Sequence, residues 1–288
     1  MKKTLPFLFI LFLIQAKAQT PIPLFFDISV NKVMTIQNYA ARLCYSKIDQ
    51  SFYYMTLSGN IYKINHQGNI YSDTLLYSTS NHSIQACQGF VISDSVMYVS
   101  GNNDKDSLFT KGFLMKGVLQ ANNTRIWSTV AQTVPYLTSG PFDHWISGLG
   151  INKSADTLFL CSGSRGDHGE IGDNGGLSPF TRNLAITSLI FQIPITASGL
   201  IIPNDSVALD AQQLVFVRGI RNTYDMAFNA SGDLFGAENS GDRDMEDELN
   251  WLQQGHHYGF PWLMGSSENP QQYPLTMENH NDVLVATN

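Results

Sequence analysis

Gly148-Leu149-Gly150-Ile151, then Asn152-Lys153-Ser154-Ala155-Asp156, then Thr157-Leu158-Phe159-Leu160 reads as an apolar strand, a polar turn and a second apolar strand. The same unit returns as Asp225-Met226-Ala227-Phe228, the turn Asn229-Ala230-Ser231-Gly232-Asp233, and Leu234-Phe235. Both turns run from Asn to Asp with Ser at the centre. Two earlier copies pair Arg42-Leu43-Cys44-Tyr45 with Phe52-Tyr53-Tyr54-Met55, and Gly89-Phe90-Val91-Ile92 with Val96-Met97-Tyr98-Val99. Successive copies begin 47, 59 and 77 residues apart, a spacing that suits four-stranded β-propeller blades joined by loops of unequal length. Helical periodicity is nearly absent, so the fold class is all-β, with four inner hairpins predicting about four blades. Gly59–Ile64 and Ser188–Ile193 are candidates for outer strands. A β-sandwich or solenoid would call for a more regular period and shorter loops.

The N-terminus carries Met1-Lys2-Lys3-Thr4, an apolar run from Leu5 to Ile14, and Ala16-Lys17-Ala18 before Gln19, the three parts of a cleavable export signal. The reading is a signal peptide over 1–18 and a mature propeller over 19–288, secreted or periplasmic. No apolar run reaches the roughly 20 residues that a membrane helix needs, so no span is expected. The chain carries 17 basic and 24 acidic residues, a formal charge of −7 that becomes more negative once Lys2, Lys3 and Lys17 leave with the signal. Such a balance repels nucleic acid, while carboxylates and carbonyls supply the oxygen ligands that calcium prefers. Cys44, Cys87 and Cys161 are too few and too scattered for a disulfide framework; one bridge and one free thiol remain open. The final residues, Val283 to Asn288, form a strand-like run with no closing signal, from which an incomplete C-terminus is expected.

The densest chemistry lies between Val217 and Trp262. Arg218-Gly219-Ile220-Arg221-Asn222 is followed by Asp247-Glu248-Leu249-Asn250 and then by Gly255-His256-His257-Tyr258-Gly259-Phe260-Pro261-Trp262. Upstream stand Asp143-His144-x-x-x-Gly148-Leu149 and Gly163-Ser164-Arg165-Gly166-Asp167. In these motifs, their order and their separations, the chain resembles the glucose/sorbosone dehydrogenases that use pyrroloquinoline quinone (PQQ). The resemblance implies a six-bladed quinoprotein propeller of which this chain holds about four blades. It also implies oxidation of an aldose or related sugar by hydride transfer to the quinone, with electrons passed on to an acceptor that the residues do not identify.

Within that resemblance His144 is the general base, and imidazole suits the role because its ordinary pKa, about 6.5, lies near working pH. Arg221 is the catalytic and cofactor-binding cation and Asn222 the hydrogen-bonding group beside it, a planar charged donor being suited to an incipient oxyanion. A buried ion pair between Arg221 and an acid such as Asp225 is the structural alternative. Asp143 and Gln85 are implied as substrate contacts. The carbonyls of Ser240 and Gly241 are implied to hold a cofactor calcium, and Glu248 with the Tyr258 carbonyl a structural calcium. Here the family's usual Gly-Pro reads Ser240-Gly241, and the loop is about two residues longer. Five acids among the seven residues from Asp242 to Glu248 crowd charge that a cation or full solvation must offset. His256 and His257 are adjacent in an extended segment, point to opposite sides, and read as loop residues. The competing functions are a non-catalytic, calcium-stabilised propeller that binds carbohydrate or protein, and, further off, a calcium-dependent lactonase.

Overall fold

A computed structural model describes residues 28–37, 39–103, 108–138, 144–171, 182–241, 246–265 and 267–269. The signal segment 1–18, Asp143 and most of the acidic run 242–245 lie outside those residues. The described part of the first segment, 28–35, carries no strand or helix, and the propeller belongs to the compact unit that begins at Ile36.

Four sheets build the blades. Blade 1 is β1 (Ala40–Ser46), β2 (Ser51–Thr56), β3 (Ile61–Gln67) and β4 (Ile70–Tyr77), hydrogen-bonded in that order. Blade 2 is β5 (Ala86–Ser93), β6 (Val96–Asn103), β7 (Phe109–Leu119) and β8 (Arg125–Thr133), with the short β9 (Tyr136–Leu137) on β7. Blade 3 is β10 (Ile146–Ile151), β11 (Thr157–Ser162), β12 (Leu189–Pro194) and β14 (Val215–Arg218). Blade 4 is β15 (Thr223–Phe228), β16 (Leu234–Glu238) and β17 (Glu248–Leu252). A further strand, β13 (Leu200–Ile202), leaves blade 3 and pairs in parallel with β8, Leu200 opposite Ala131, while β18 (Leu263–Met264) and β19 (Ser267–Glu268) form a two-stranded sheet of their own. Strand β13 covers the outer edge of blade 2 and buries Ile202, removing an edge that would otherwise invite pairing. Two short helices, α1 (Thr79–His82) and α2 (Ser206–Ala211), fill connections.

The four repeats are the four inner hairpins. Their registers place Arg42 opposite Met55, Gly89 opposite Ser100, Leu149 opposite Leu160 and Asp225 opposite Ala237. Every inner strand breaks register at the same place: Ala40/Arg42, Cys87/Gly89, Ile146/Leu149 and Thr223/Asp225. The shared turns have one mechanism. Asn152 Nδ2 donates to Asp156 Oδ1 (2.7 Å) while its Oδ1 accepts the Asp156 N–H (3.1 Å), and Asn229 and Asp233 repeat the clasp at 2.8 and 2.9 Å. The two outer-strand candidates occupy third positions, as β3 and β12, with β4 and β14 outside them.

Because side chains alternate across a strand, a blade covered on both faces must be apolar on both. Leu158 and Leu160 of β11 face one core with Tyr98, Leu114 and Val130 of blade 2, while Phe159 and Cys161 face another with Met226, Leu234 and Leu252 of blade 4. A third core joins Tyr53, Met55 and Ile61 of blade 1 to Phe90, Met97 and Val99 of blade 2. Each core is one blade-to-blade interface. The outward faces of the end blades expose Leu43, Tyr45 and Phe52 on blade 1 and Leu249 and Trp251 on blade 4. Across the axis the buried Arg42 lies 4.1 Å over the Tyr224 ring and 3.6 Å from Asp225 Oδ2, tying β1 to β15. All three cysteines are free, with Cys44 half-buried and Cys87 and Cys161 buried.

The glycines that open two of the repeats have a packing reason. A Cβ on Gly148 would lie 2.8 Å from Thr223 O, and one on Gly89 would fall well inside contact with Ser147 O and Ser100 Oγ, so successive inner strands meet backbone against backbone. We expect Gly89→Ala to destabilise the fold by about 3 kcal/mol, because rigid backbone cannot yield to the added methyl as a flexible side chain could. Urea titration would check it; a loss of about 0.5 kcal/mol or less would mean that the blades can part without cost.

Candidate active site

The loop that enters β10 carries His144, the loop leaving β11 carries Ser164 to Glu170, and the link from β14 to β15 carries Arg221 and Asn222. Backbone hydrogen bonds join all three: His144 N–H donates to Ser164 O (2.9 Å), and Ser164 N–H donates to Arg221 O (2.7 Å). The end of β16 adds Glu238, whose Oε1 accepts the Arg221 N–H (2.7 Å). His144 and Arg221, predicted to share one end of the propeller from their equal offsets before Gly148 and Asp225, are thus drawn together by the seam between blades 3 and 4.

The hydrogen bonds of His144 fix its tautomer. Its Nδ1 stands 3.3 Å from Ser164 O and 3.2 Å from Ser164 Oγ, and the one hydroxyl hydrogen of Ser164 is already committed to Gly166 O (2.7 Å). Both oxygens therefore accept, Nδ1 carries the proton, and Nε2 keeps its lone pair. Burial first, then the Arg221 charge, pull the imidazole down to about 4, so at neutral pH it is an unprotonated acceptor.

Arg221 is buried and pinned. Its Nε–H donates to Asp167 O (2.7 Å), one Nη1–H donates to Asn239 O (2.8 Å), and Nη2 pairs with Asp167 Oδ1. Of five N–H groups, three are committed among the described residues and two remain. The ion-pair partner is Asp167, 54 residues away, rather than Asp225, which faces Arg42. Asn222 Nδ2 donates to Asn239 Oδ1 (2.9 Å), and its Oδ1 lies 3.4 Å from the Ser147 hydroxyl. Ser164 and Asp167 belong to the Gly163-to-Asp167 motif, which assigns no role to either; Glu238 and Asn239 carry no sequence signal beyond their place at a strand end. Burial, with Glu248 across the ladder adding repulsion, pushes the Glu238 carboxyl up to about 8.

The glucose/sorbosone dehydrogenase family profile matches residues 93–285, most of the chain and every residue just described. The chain belongs to that family. Among solved structures, the PQQ-bound aldose sugar dehydrogenase of Streptomyces coelicolor is similar with a TM-score of 0.54 at 17% identity, over 83% of this chain and 68% of that one. The soluble aldose sugar dehydrogenase of Escherichia coli, in its apo form, has a TM-score of 0.55 at 18% identity over 78% and 64%. A glucose dehydrogenase has a TM-score of 0.57 at 16% identity over 85% and 70%. At such identities the likeness is one of fold, and the chain spans about two thirds of the length of these relatives. No curated protein sequence matches it.

The other residues predicted from the family's motifs are more dispersed. Gln85 enters blade 2 four residues before Gly89, as His144 does before Gly148 in blade 3; it is exposed and its N–H donates to Asn103 Oδ1 (2.8 Å). Asp143 lies outside the described residues. Ser240 N–H donates to Asp247 Oδ1 (2.9 Å), and Gly241 packs against the His168 ring. Glu248 accepts from Gly265 N–H (2.5 Å) and Asn250 Nδ2 (2.7 Å), whereas the Tyr258 hydroxyl donates to Trp251 O (2.6 Å). No hydrogen bond joins Glu248 to Tyr258 among the described residues. Among them, too, no helix is long and apolar enough to cross a membrane.

Proposed function

We propose that this chain oxidises an aldose or related sugar, with PQQ as electron acceptor and His144 as general base. The observation that carries the reading is the fixed tautomer of His144, its Nε2 lone pair available beside a pinned guanidinium. PQQ, when bound, supplies a two-electron acceptor. Nε2 of His144 takes the proton of the sugar hydroxyl as the C–H bond breaks with its electron pair leaving as hydride, so an aldose becomes a lactone. The two remaining N–H groups of Arg221, held without rotation by Asp167 and Asn239, suit an oxygen on which negative charge grows. Asn222 offers its second amide N–H beside them, and Gln85 and Asp143 are proposed to meet the sugar. Support for the cofactor comes from the family and from the PQQ-bound relative of similar fold. Reconstitution with PQQ should give aldose-dependent reduction of an artificial dye. PQQ binding without turnover, or no PQQ binding at all, would favour the carbohydrate- or protein-binding module. Export through the signal over 1–18, to the periplasm or outside, is part of the same proposal.

For calcium, we propose the loop from Ser240 to Tyr258, with the carbonyls of Ser240 and Gly241 near the cofactor and Glu248 with the Tyr258 carbonyl as the structural site. Glu238, Glu246 and Glu248 border a hollow of about 10 Å³ beside Asn239 and Ser240, carboxyl oxygens of the kind a hard cation prefers, with Arg221 also in the lining. Among the described residues no three acidic, His or Cys side chains already stand in ligating geometry, so an entering cation has to draw them together. Calcium at about a hundredfold excess over Kd is expected to raise Tm by about 5–10 °C. Equal Tm with calcium and with chelator would point to a solvated acidic loop instead.

A further inference from the structure

A cleft of about 400 Å³ opens between the loop preceding β12, the end of β14 and the segment after β17. It is distinct from the site above, since none of His144, Ser164, Asp167 and Arg221 lines it. Its lining includes Arg182, Arg218 and His257, with no Asp or Glu among the described residues that line it. That gathering of N–H donors is the first observation.

The second is how the donors are held. Arg182 lies over the Trp262 ring, 5.1 Å from its centroid, and its Nη1–H donates to Gly169 O (2.9 Å). Arg218 is oriented by Asp210 of α2 at 2.8 Å, which engages one of its five N–H groups and leaves the side chain one-third exposed. His257 is seated on Gly219, whose φ of +72° and missing side chain make room for the ring: a Cβ there would come within 2.7 Å of Nε2 and closer still to Cε1 and Nδ1. His257 Nδ1 accepts the Gly259 N–H (3.1 Å), so the ring proton sits on Nε2 and Nε2 is a donor.

The third observation is the apolar part of the lining, Leu184, Pro261 and Trp262, with Asn183 and Ser206 as polar groups in the same cleft. Guanidinium forks match carboxylate geometry, an apolar wall accepts the C–H face of a pyranose, and the volume admits one or two rings. We propose that this cleft binds an acidic sugar, its carboxylate taken by Arg218 and the Nε2–H of His257 and its ring lying along Pro261 and Trp262. The inference stands apart from the oxidation reaction, and its test requires no turnover.

Isothermal titration of the whole apo chain with glucuronate, glucose, acetate and inorganic sulfate reads it directly. Glucuronate should bind saturably with Kd in the millimolar range or tighter, and glucose and acetate at least about tenfold more weakly, since each lacks one half of the recognition. Arg218→Gln, at a part-exposed side chain, and His257→Leu, at an exposed one, should each weaken glucuronate about tenfold or more, whereas His144→Ala should leave it unchanged. The proposal is overturned if no saturable glucuronate binding appears by about 10 mM, if glucose binds as well, if sulfate binds as tightly and so makes this a bare anion site, or if the cleft variants bind like the parent.

Discussion

His144→Ala should lower aldose turnover by about 10²- to 10⁴-fold in PQQ-reconstituted protein, with PQQ affinity little changed, the usual cost of losing a general base. The expectation rests on geometry before titration: Nδ1 is engaged by Ser164, so only Nε2 can receive a proton. His144→Gln separates base chemistry from packing, since it fills much of the space yet cannot take up the proton; turnover should fall nearly as far. The imidazole itself can be followed by NMR in the apo chain. Its midpoint should lie near 4 rather than near 6.5, because burial and then Arg221 disfavour the cation. The sign for stability follows. A folded pKa below the unfolded one means that the unfolded chain binds the extra proton first, so this residue's contribution is present above about pH 6.5 and is lost as pH falls toward 4. Near wild-type turnover in His144→Ala would remove the base from the mechanism and with it the main support for a dehydrogenase reading.

The hairpins were legible in sequence because two local signals coincide in them, alternation of apolar residues and an Asn-to-Asp turn whose side chains close on each other. Since each repeat fixes an offset, the equal spacing of His144 before Gly148 and Arg221 before Asp225 places both at one end of the axis. What could not be read depends on partners remote in sequence. Strand β13 is three residues long, and its choice of β8 over its own blade is settled by an uncovered edge some 70 residues earlier. Helix α2 is too short to have a period, and its N-cap, Asp205 accepting the Ala208 N–H, is one aspartate among many. The nearest acid in sequence, Asp225, looked as plausible a partner for Arg221 as any, but β15 turns it to the axis and to Arg42. His257, set aside as a loop residue because an adjacent histidine cannot share its face, acquires meaning only once Gly219 is beneath it.

Breaking the Arg221–Asp167 pair from one side should cost more than removing it whole. Both side chains are nearly buried, 5% and 9% exposed, and the guanidinium cannot discharge by losing a proton. Asp167→Asn keeps a hydrogen-bond acceptor but removes the carboxylate paired with the buried Arg221 charge, and about 3–5 kcal/mol of stability should go with it. Arg221→Met leaves the Asp167 carboxylate with His168, whose Nδ1 is 3.2 Å from Oδ2, and free to take up a proton, so the loss should be smaller and should shrink further at acid pH. In Asp167→Asn/Arg221→Met no net charge remains buried at the pair, and its stability should exceed that expected from adding the two single losses by at least about 1 kcal/mol. Denaturant unfolding of the four apo proteins closes this cycle without any cofactor. PQQ titration of the same set then separates stability from function: the double variant should fold yet bind PQQ poorly, because the two N–H groups left on Arg221 are the proposed donors to its oxygens. Strictly additive stability losses would mean that the pair is not the buried unit its geometry describes. Undiminished PQQ binding by the double variant would instead confine Arg221 to holding the seam between blades 3 and 4.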